Sequence, residues 1–175
     1  MKSKFLSLLL SGVFVLTCFA FSSTTLMAKK RIVFGGGPAG GTFQVVANGV
    51  QVYKPVKALK DYTMKAQSSA GSIENLRKVD RNRSQLGVVY LGHVYLRRNG
   101  MLKNDTNRYE NVLAVAFLYW AQAQLVVRKG SGIKNPEDLV GKKVGVGNAG
   151  SGAFANCELF FNHLGIWDRV ERNAM

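Results

Sequence analysis

The sequence predicts an α/β fold built on mainly parallel strands, and three observations carry that prediction. Short apolar runs, among them Ile32-Val33-Phe34 and Val144-Gly145-Val146, alternate with stretches of helical periodicity, as strands do when crossover helices join them. Glycine-broken turns stand between a strand-like and a helix-like stretch at three places: Gly35-Gly36-Gly37-Pro38-Ala39-Gly40-Gly41-Thr42-Phe43, Ser69-Ala70-Gly71-Ser72, and Gly147-Asn148-Ala149-Gly150-Ser151-Gly152. Capping and stop residues fall at the ends of the helical stretches rather than inside them.

Residues 32–34 read as the first strand. A helix is expected over Thr42–Val52, with Phe43, Val46, Ala47 and Val50 on one stripe and its end before the Lys54-Pro55 step. Residues 62–66 alternate as a strand does. Ser72 is expected to cap a helix that carries Ile73, Leu76 and Val79 at helical spacing, with Glu74 in the first turn and Arg77, Lys78 and Arg81 toward its negative end. Residues 85–89 read as a third strand, 93–98 as a short helix, and Asn99-Gly100 as its stop. Two further apolar runs, 112–117 and 124–127, flank Leu118-Tyr119-Trp120-Ala121-Gln122 and read as consecutive strands at a lobe edge or crossover. Asn135 should cap a one-turn helix with Pro136 first and Glu137 and Asp138 behind it. After the strand 144–146, Phe154, Cys157, Phe160, Phe161 and Leu164 make the apolar face of a last helix, stopped by Gly165.

Lys2 and Lys4 precede an apolar block over 5–21 and a small-residue stretch ending at Ala28. These are the regions of a secretory signal, residues 1–28, and they imply a periplasmic mature protein. The alternative is an uncleaved anchor, for which the block is slightly short of the ~20 residues a span needs. Cleavage would remove Lys2 and Lys4 from the 24 basic residues, leaving 22 against 10 acidic, a net charge of +12. The basic residues are scattered singly and in pairs, without aromatic interleaving, so nucleic acid is not the expected partner. Cys157 alone would remain, which excludes an internal disulfide and reads as a small core residue.

The function expected from the residues follows from the turns. Glycines let a ligand approach the backbone, and a helix start presents unpaired N–H groups and about half a positive charge, a combination that binds anions. Three such turns are expected to converge on one small carboxylate.

Several pieces carry a family likeness: Gly40-Gly41-Thr42 after the first strand, Gly71-Ser72-Ile73-Glu74-Asn75-Leu76, Leu118-Tyr119, Ser131-Gly132-Ile133 with Asp138-Leu139-Val140-Gly141-Lys142-Lys143-Val144, and the third glycine turn. In this order and spacing the chain resembles the N-terminal half of a TAXI-type (TRAP-associated extracytoplasmic immunogenic) solute receptor, the binding-protein subunit of TRAP transporters. The resemblance implies a type II periplasmic-binding-protein fold of two α/β lobes that close over a ligand. Residues 29–117 would form the first lobe, and 118–175 the crossover and the start of a second, truncated lobe. It further implies that Gly41, Thr42, Phe43, Ser69, Gly71 and Ser72 line the cleft from the first lobe. Tyr119 would stand near the hinge, and Gly150, Ser151 and Gly152 would approach from the second lobe. The implied ligand is a glutamate-like or dicarboxylate-like solute delivered to a sodium-driven membrane permease, with no cofactor, metal or catalytic group.

Rival classes have less behind them. Gly35-x-Gly37-x-x-Gly40 and Gly145-x-Gly147-x-x-Gly150 match a dinucleotide fingerprint, but Asp61 precedes the strand at whose far end a ribose-binding acid should sit. His93 and His163 lack carboxylate or cysteine neighbours at metal-ligand spacing, and no base stands near Ser69, Ser72 or Ser151 in sequence. Tyr62, Tyr109, Trp120 and Trp167 are expected to pack in the core or at a lobe edge. A non-functional truncated fragment, or an exported interaction or antigenic protein without ligand binding, stays open as the alternative function.

Overall fold

The computed structural model describes residues 28–102 and 105–174; the expected export signal, Ala28 apart, lies outside the described residues. Strands β1 (Lys30–Gly35), β2 (Tyr62–Gln67) and β3 (Leu86–Gly87) form a parallel sheet in the order β2-β1-β3. Helix α1 (Thr42–Val52) and the short α2 (Lys54–Lys57) connect β1 to β2, α3 (Ser72–Asp80) connects β2 to β3, and α4 (Leu91–Arg98) follows. Downstream, β4 (Lys143–Gly145) pairs in parallel with β5 (Glu171–Asn173), with α5 (Gly152–His163) between them. The α/β class with parallel sheets is therefore as predicted, and it is consistent with a periplasmic-binding-protein-like fold.

Successive side chains on β1 point to opposite faces, so its end serves two helices. Phe34 packs with Ala47 and Val88, joined by Phe43, Val46, Val50 and Met64, so the predicted apolar stripe of α1 covers one face. Gly35 faces the other way, where a Cβ would lie 2.4 Å from Asn75 Oδ1. Buried Asn75, on α3, donates from Nδ2 to the carbonyls of Gly36 (2.6 Å), Val88 (2.8 Å) and Gly35 (3.2 Å). One side chain thus fixes the strand ends, adding to the bonds that the Gly35 and Gly36 carbonyls already accept from the Val88 N–H (2.9 Å) and the Ser69 hydroxyl (3.0 Å). Leu76 of α3 continues into a cluster with Val94, Tyr109 and Val112. The downstream layer has its own core, in which Phe161, Ile166, Trp167, Val144 and Val146 are all buried.

Local signals were good guides where caps and periodicity set the outcome. Helix α1 has the expected bounds. Asn135 and Asp138 form a reciprocal capping box on the 3₁₀ turn Pro136–Leu139, and Gly100 and Gly165 sit at positive φ behind α4 and α5. Ser72 is not the cap of α3. Gly71 holds that position at φ 122° and ψ −146°, a conformation open essentially to glycine alone, and Ser72 is drawn inside. Phe160 is exposed rather than part of the buried face of α5, and Trp120 and Tyr62 are exposed while Tyr109 and Trp167 are buried. Neither 112–117 nor 124–127 is a strand. These residues lack a neighbouring strand among the described residues, and Leu113, Val115, Trp120 and Val126 are each about four-fifths exposed or more. Alternating apolar residues suit a pleated surface, but a strand also needs a ladder partner. Conversely, β5 has a partner in β4 although its residues carry no strand pattern.

Candidate functional site: three turns and an aromatic wall

The glycine turns meet at the C-terminal ends of the strands, the position where open α/β sheets bind ligands. Ser69 ties the second turn to the first: its hydroxyl donates to the Gly36 carbonyl (3.0 Å) and its N–H to that of Gly37 (3.2 Å). The same hydroxyl accepts the Gly71 N–H at 3.1 Å. The third turn abuts the second. A Cβ on Gly71 would lie 3.7 Å from the Gly152 nitrogen and 3.9 Å from Ser151 Cα, and one on Gly150 would lie 3.9 Å from Ala70 Cβ. The starts of α3 and α5 therefore face each other at van der Waals distance.

Ser72 stands at that contact, fully buried. Its Oγ accepts the Tyr90 N–H at 3.0 Å and lies 3.0 Å from His93 Nδ1. On the far side of the imidazole, Nε2 is 3.0 Å from Oδ1 of Asn156, on α5. With Asn156 offering its oxygen, Nε2 carries the proton and Nδ1 accepts from Ser72, so the single serine proton is committed within the protein. His93 thereby bridges the two halves of the contact. Burial holds its pKa below the ordinary histidine value; the Asn156 bond opposes that shift, and the charge of Arg97 reinforces it. A serine beside an imidazole invites comparison with acyl transfer, but Ser72 has no exposed face at which a carbonyl carbon could reach Oγ.

Aromatic rings wall the meeting point. Phe43 lies 5.1 Å from Tyr90 and 6.4 Å from Tyr119, and Tyr90 packs edge-on against His93 at 5.4 Å. A Cβ on Gly152 would lie 2.5 Å from Tyr90 Cε2. The Tyr119 hydroxyl is buried without a hydrogen-bond partner among the described residues, and burial, with the nearby Tyr90 phenol, raises its pKa. An orphaned buried hydroxyl is costly, by about 1–3 kcal/mol, and such groups mark places where a ligand or water completes the bonding.

Electrostatics favour an anion here. First-turn N–H groups of a helix have no intrahelical acceptor, and α1, α3 and α4 have no side-chain cap. Ser151 caps α5 by accepting the Phe154 N–H at 3.0 Å. Two helix starts facing each other oppose two partial positive charges. Glu74 answers part of that field, accepting the Ala70 N–H at 2.6 Å and pairing with Lys78. Burial would raise its pKa, but Lys78 and the Ala70 N–H outweigh burial and lower it. Behind the site, Arg97 is buried against Asp105 and stacks on Tyr109 at 4.8 Å. Burial pushes Asp105 up, yet the Tyr109 hydroxyl, Arg97 and Asn107 together hold it below the usual carboxylate value.

Of the residues singled out in sequence, Ser69, Gly71, Ser72, Gly150, Ser151 and Gly152 are brought together, and Phe43 and Tyr119 share the aromatic wall. Gly41 and Thr42 open α1 at the rim, where Thr42 is exposed and joins the group through its neighbour Phe43. Tyr90, His93, Asn156 and Asn75 were missed. Tyr90 and His93 carried a weak signal, lying one helical turn apart at the start of α4; Asn156 carried none, since its partner is 63 residues away. Asp61 opens β2, at the end of the sheet away from the turns, as a ribose-binding acid should not.

The sequence profile of the NMT1-like family, which is related to the periplasmic binding proteins, matches residues 34–173. That span includes all three turns, the aromatic wall, β2 to β5 and the last two residues of β1. The relationship supports a solute-binding role in general, with a small-molecule ligand and a transporter as partner.

Proposed function

This chain belongs to the NMT1-like family, and on that premise we propose that it is the solute-capturing, non-enzymatic subunit of a TRAP-type uptake system of the TAXI kind. It works in the periplasm after loss of residues 1–28. Its ligand is a small carboxylate, glutamate-like or dicarboxylate-like, handed to a membrane permease. The observation that supports this most is the face-to-face approach of the α3 and α5 starts beside the unpartnered Tyr119 hydroxyl. A carboxylate placed there satisfies N–H groups from both helices and needs no buried countercharge. Gly41, Thr42 and Phe43 line the site from the first turn, Ser69, Gly71 and Ser72 from the second, and Gly150, Ser151 and Gly152 from the third; Ser69 and Gly71 hold the second turn in shape, their own donors being given to Gly36, Gly37 and Ser69. Ser72 acts through Tyr90 and His93 rather than by donating its own proton to the solute. Because the second and third turns touch, solute access requires them to part. Contacts to both sides then favour the closed arrangement.

Titration calorimetry of the purified protein with glutamate and with C4 and C5 dicarboxylates tests the reading. Saturable heat is expected for at least one of them, and Tyr119→Phe, which removes a hydrogen bond to a charged group, should weaken binding about tenfold or more. Absence of heat with every carboxylate would sink the function. Unchanged affinity in Tyr119→Phe would remove Tyr119 from the site.

A further inference from the structure

The end of the first sheet opposite the turns carries a surface that solute capture does not use. Lys29, Lys30 and Arg31 open β1, Lys54 and Lys57 lie on α2, and Lys60 and Lys65 flank and enter β2, all of them exposed. Asp61 is the one carboxylate between residues 28 and 65. None of these seven cations has an ion pair among the described residues. The fold gathers five of them at one end of the sheet: Lys29 Nζ donates to the Leu59 carbonyl at 3.2 Å, next to Lys60, Lys30 is in register with Tyr62, and α2, with Lys54 and Lys57, packs against β2; Arg31, pointing to the other side of β1 from Lys30, shares with Lys65 the wall of an open groove of about 540 Å³. Four large apolar residues are exposed among the lysines, Tyr53 at 62%, Val52 at 55%, Leu59 at 42% and Tyr62 at 40%.

We propose that this face docks on a phospholipid bilayer bearing anionic headgroups. Six of the seven cations are lysines, flexible point charges suited to a fluid array of phosphates. An acidic protein partner fits less well, because protein interfaces are depleted in lysine and enriched in arginine. Tyrosines and aliphatic side chains between lysines are what seats a surface at the headgroup boundary, rings at the interface and ammonium groups reaching out to phosphate. The strands hold the solute turns about 20 Å away, leaving them free to open while the face is docked.

Co-sedimentation of the full chain with vesicles tests this, comparing phosphatidylcholine alone with phosphatidylcholine containing phosphatidylglycerol. The reading is the ratio of the two partition coefficients, in which any insertion of the 5–21 block cancels. Each surface lysine contributes about fivefold at low salt, so the triple change Lys54→Gln, Lys57→Gln, Lys60→Gln should cut the ratio roughly a hundredfold. The pair Lys142→Gln, Lys143→Gln, exposed on the downstream layer, should leave it nearly unchanged, and raising the salt should collapse the wild-type ratio. Tyr53→Ser with Leu59→Ser should reduce the binding that survives salt. A wild-type ratio near one would overturn the proposal. So would equal losses in the two lysine variants, which would point to net charge alone, or capture by polyglutamate without capture by anionic vesicles.

Discussion

Gly152→Ala probes the contact on which the site depends. Two effects oppose each other at this position, the first residue of α5. Helix propensity alone favours alanine by up to about 1 kcal/mol. Against it, the new methyl would lie 2.5 and 2.6 Å from two carbons of the Tyr90 ring and 3.0 Å from Ser72 Cβ, where carbon atoms ordinarily stand 3.5–4.0 Å apart. The ring cannot swing away freely, since Phe43 and His93 pack against it at 5.1 and 5.4 Å. The turns must separate by roughly 1 Å, at an overpacking cost of about 1–3 kcal/mol. Thermal melting should then fall by about 3–10 °C for a chain of this size. Gly49→Ala is the control: it sits inside α1 with nothing within 4 Å of its would-be Cβ, so it should be neutral or slightly stabilising. A double-mutant cycle with Tyr90→Ala completes the assay, because removing the ring should abolish most of the Gly152→Ala penalty. Melting of Gly152→Ala at or above wild type, or the same penalty with and without the Tyr90 ring, would refute the contact and with it the convergence of the second and third turns.

Other perturbations test the supporting groups. His93 is held neutral with a lowered pKa, so the unfolded chain takes up its proton first. Stability should be full above about pH 6.5 and fall as the pH drops from there toward the folded value, with a slope of up to about 1.4 kcal/mol per pH unit; denaturant midpoints for His93→Gln should be flat over that window. The lowered carboxyls of Glu74 and Asp105 act in a separate, more acidic window, their contribution being lost only as the pH falls through their folded values. Asn75→Asp keeps the shape but sets carboxylate oxygens against the carbonyls of Gly35, Gly36 and Val88. It should cost about 2–4 kcal/mol in urea unfolding, a deficit that narrows on acidification.

What was legible in the sequence is what neighbours along the chain decide. The stripe of α1, the Asn135–Asp138 capping box and the glycine stops behind α4 and α5 each rest on groups a few residues apart, and the alternation of strand and helix was enough to give a parallel α/β fold. Distant pairings were not legible. Ser72 has the residue type and the following Glu74 of a cap, yet the Tyr90 N–H and His93 claim its hydroxyl from 18 and 21 residues away. The apolar runs 112–117 and 124–127 have strand composition without a ladder partner, whereas β5 has a partner without the composition. By itself the sequence determined the bounds of α1, the stops behind α4 and α5 and the three glycine turns between strands and helices, because caps, periodicity and positive φ are local energies. Tertiary structure alone decided that the turns meet, that His93 and Asn156 bridge them, and that the Tyr119 hydroxyl is enclosed without a partner among the described residues, because burial and long-range hydrogen bonds come into being only once the layers have packed.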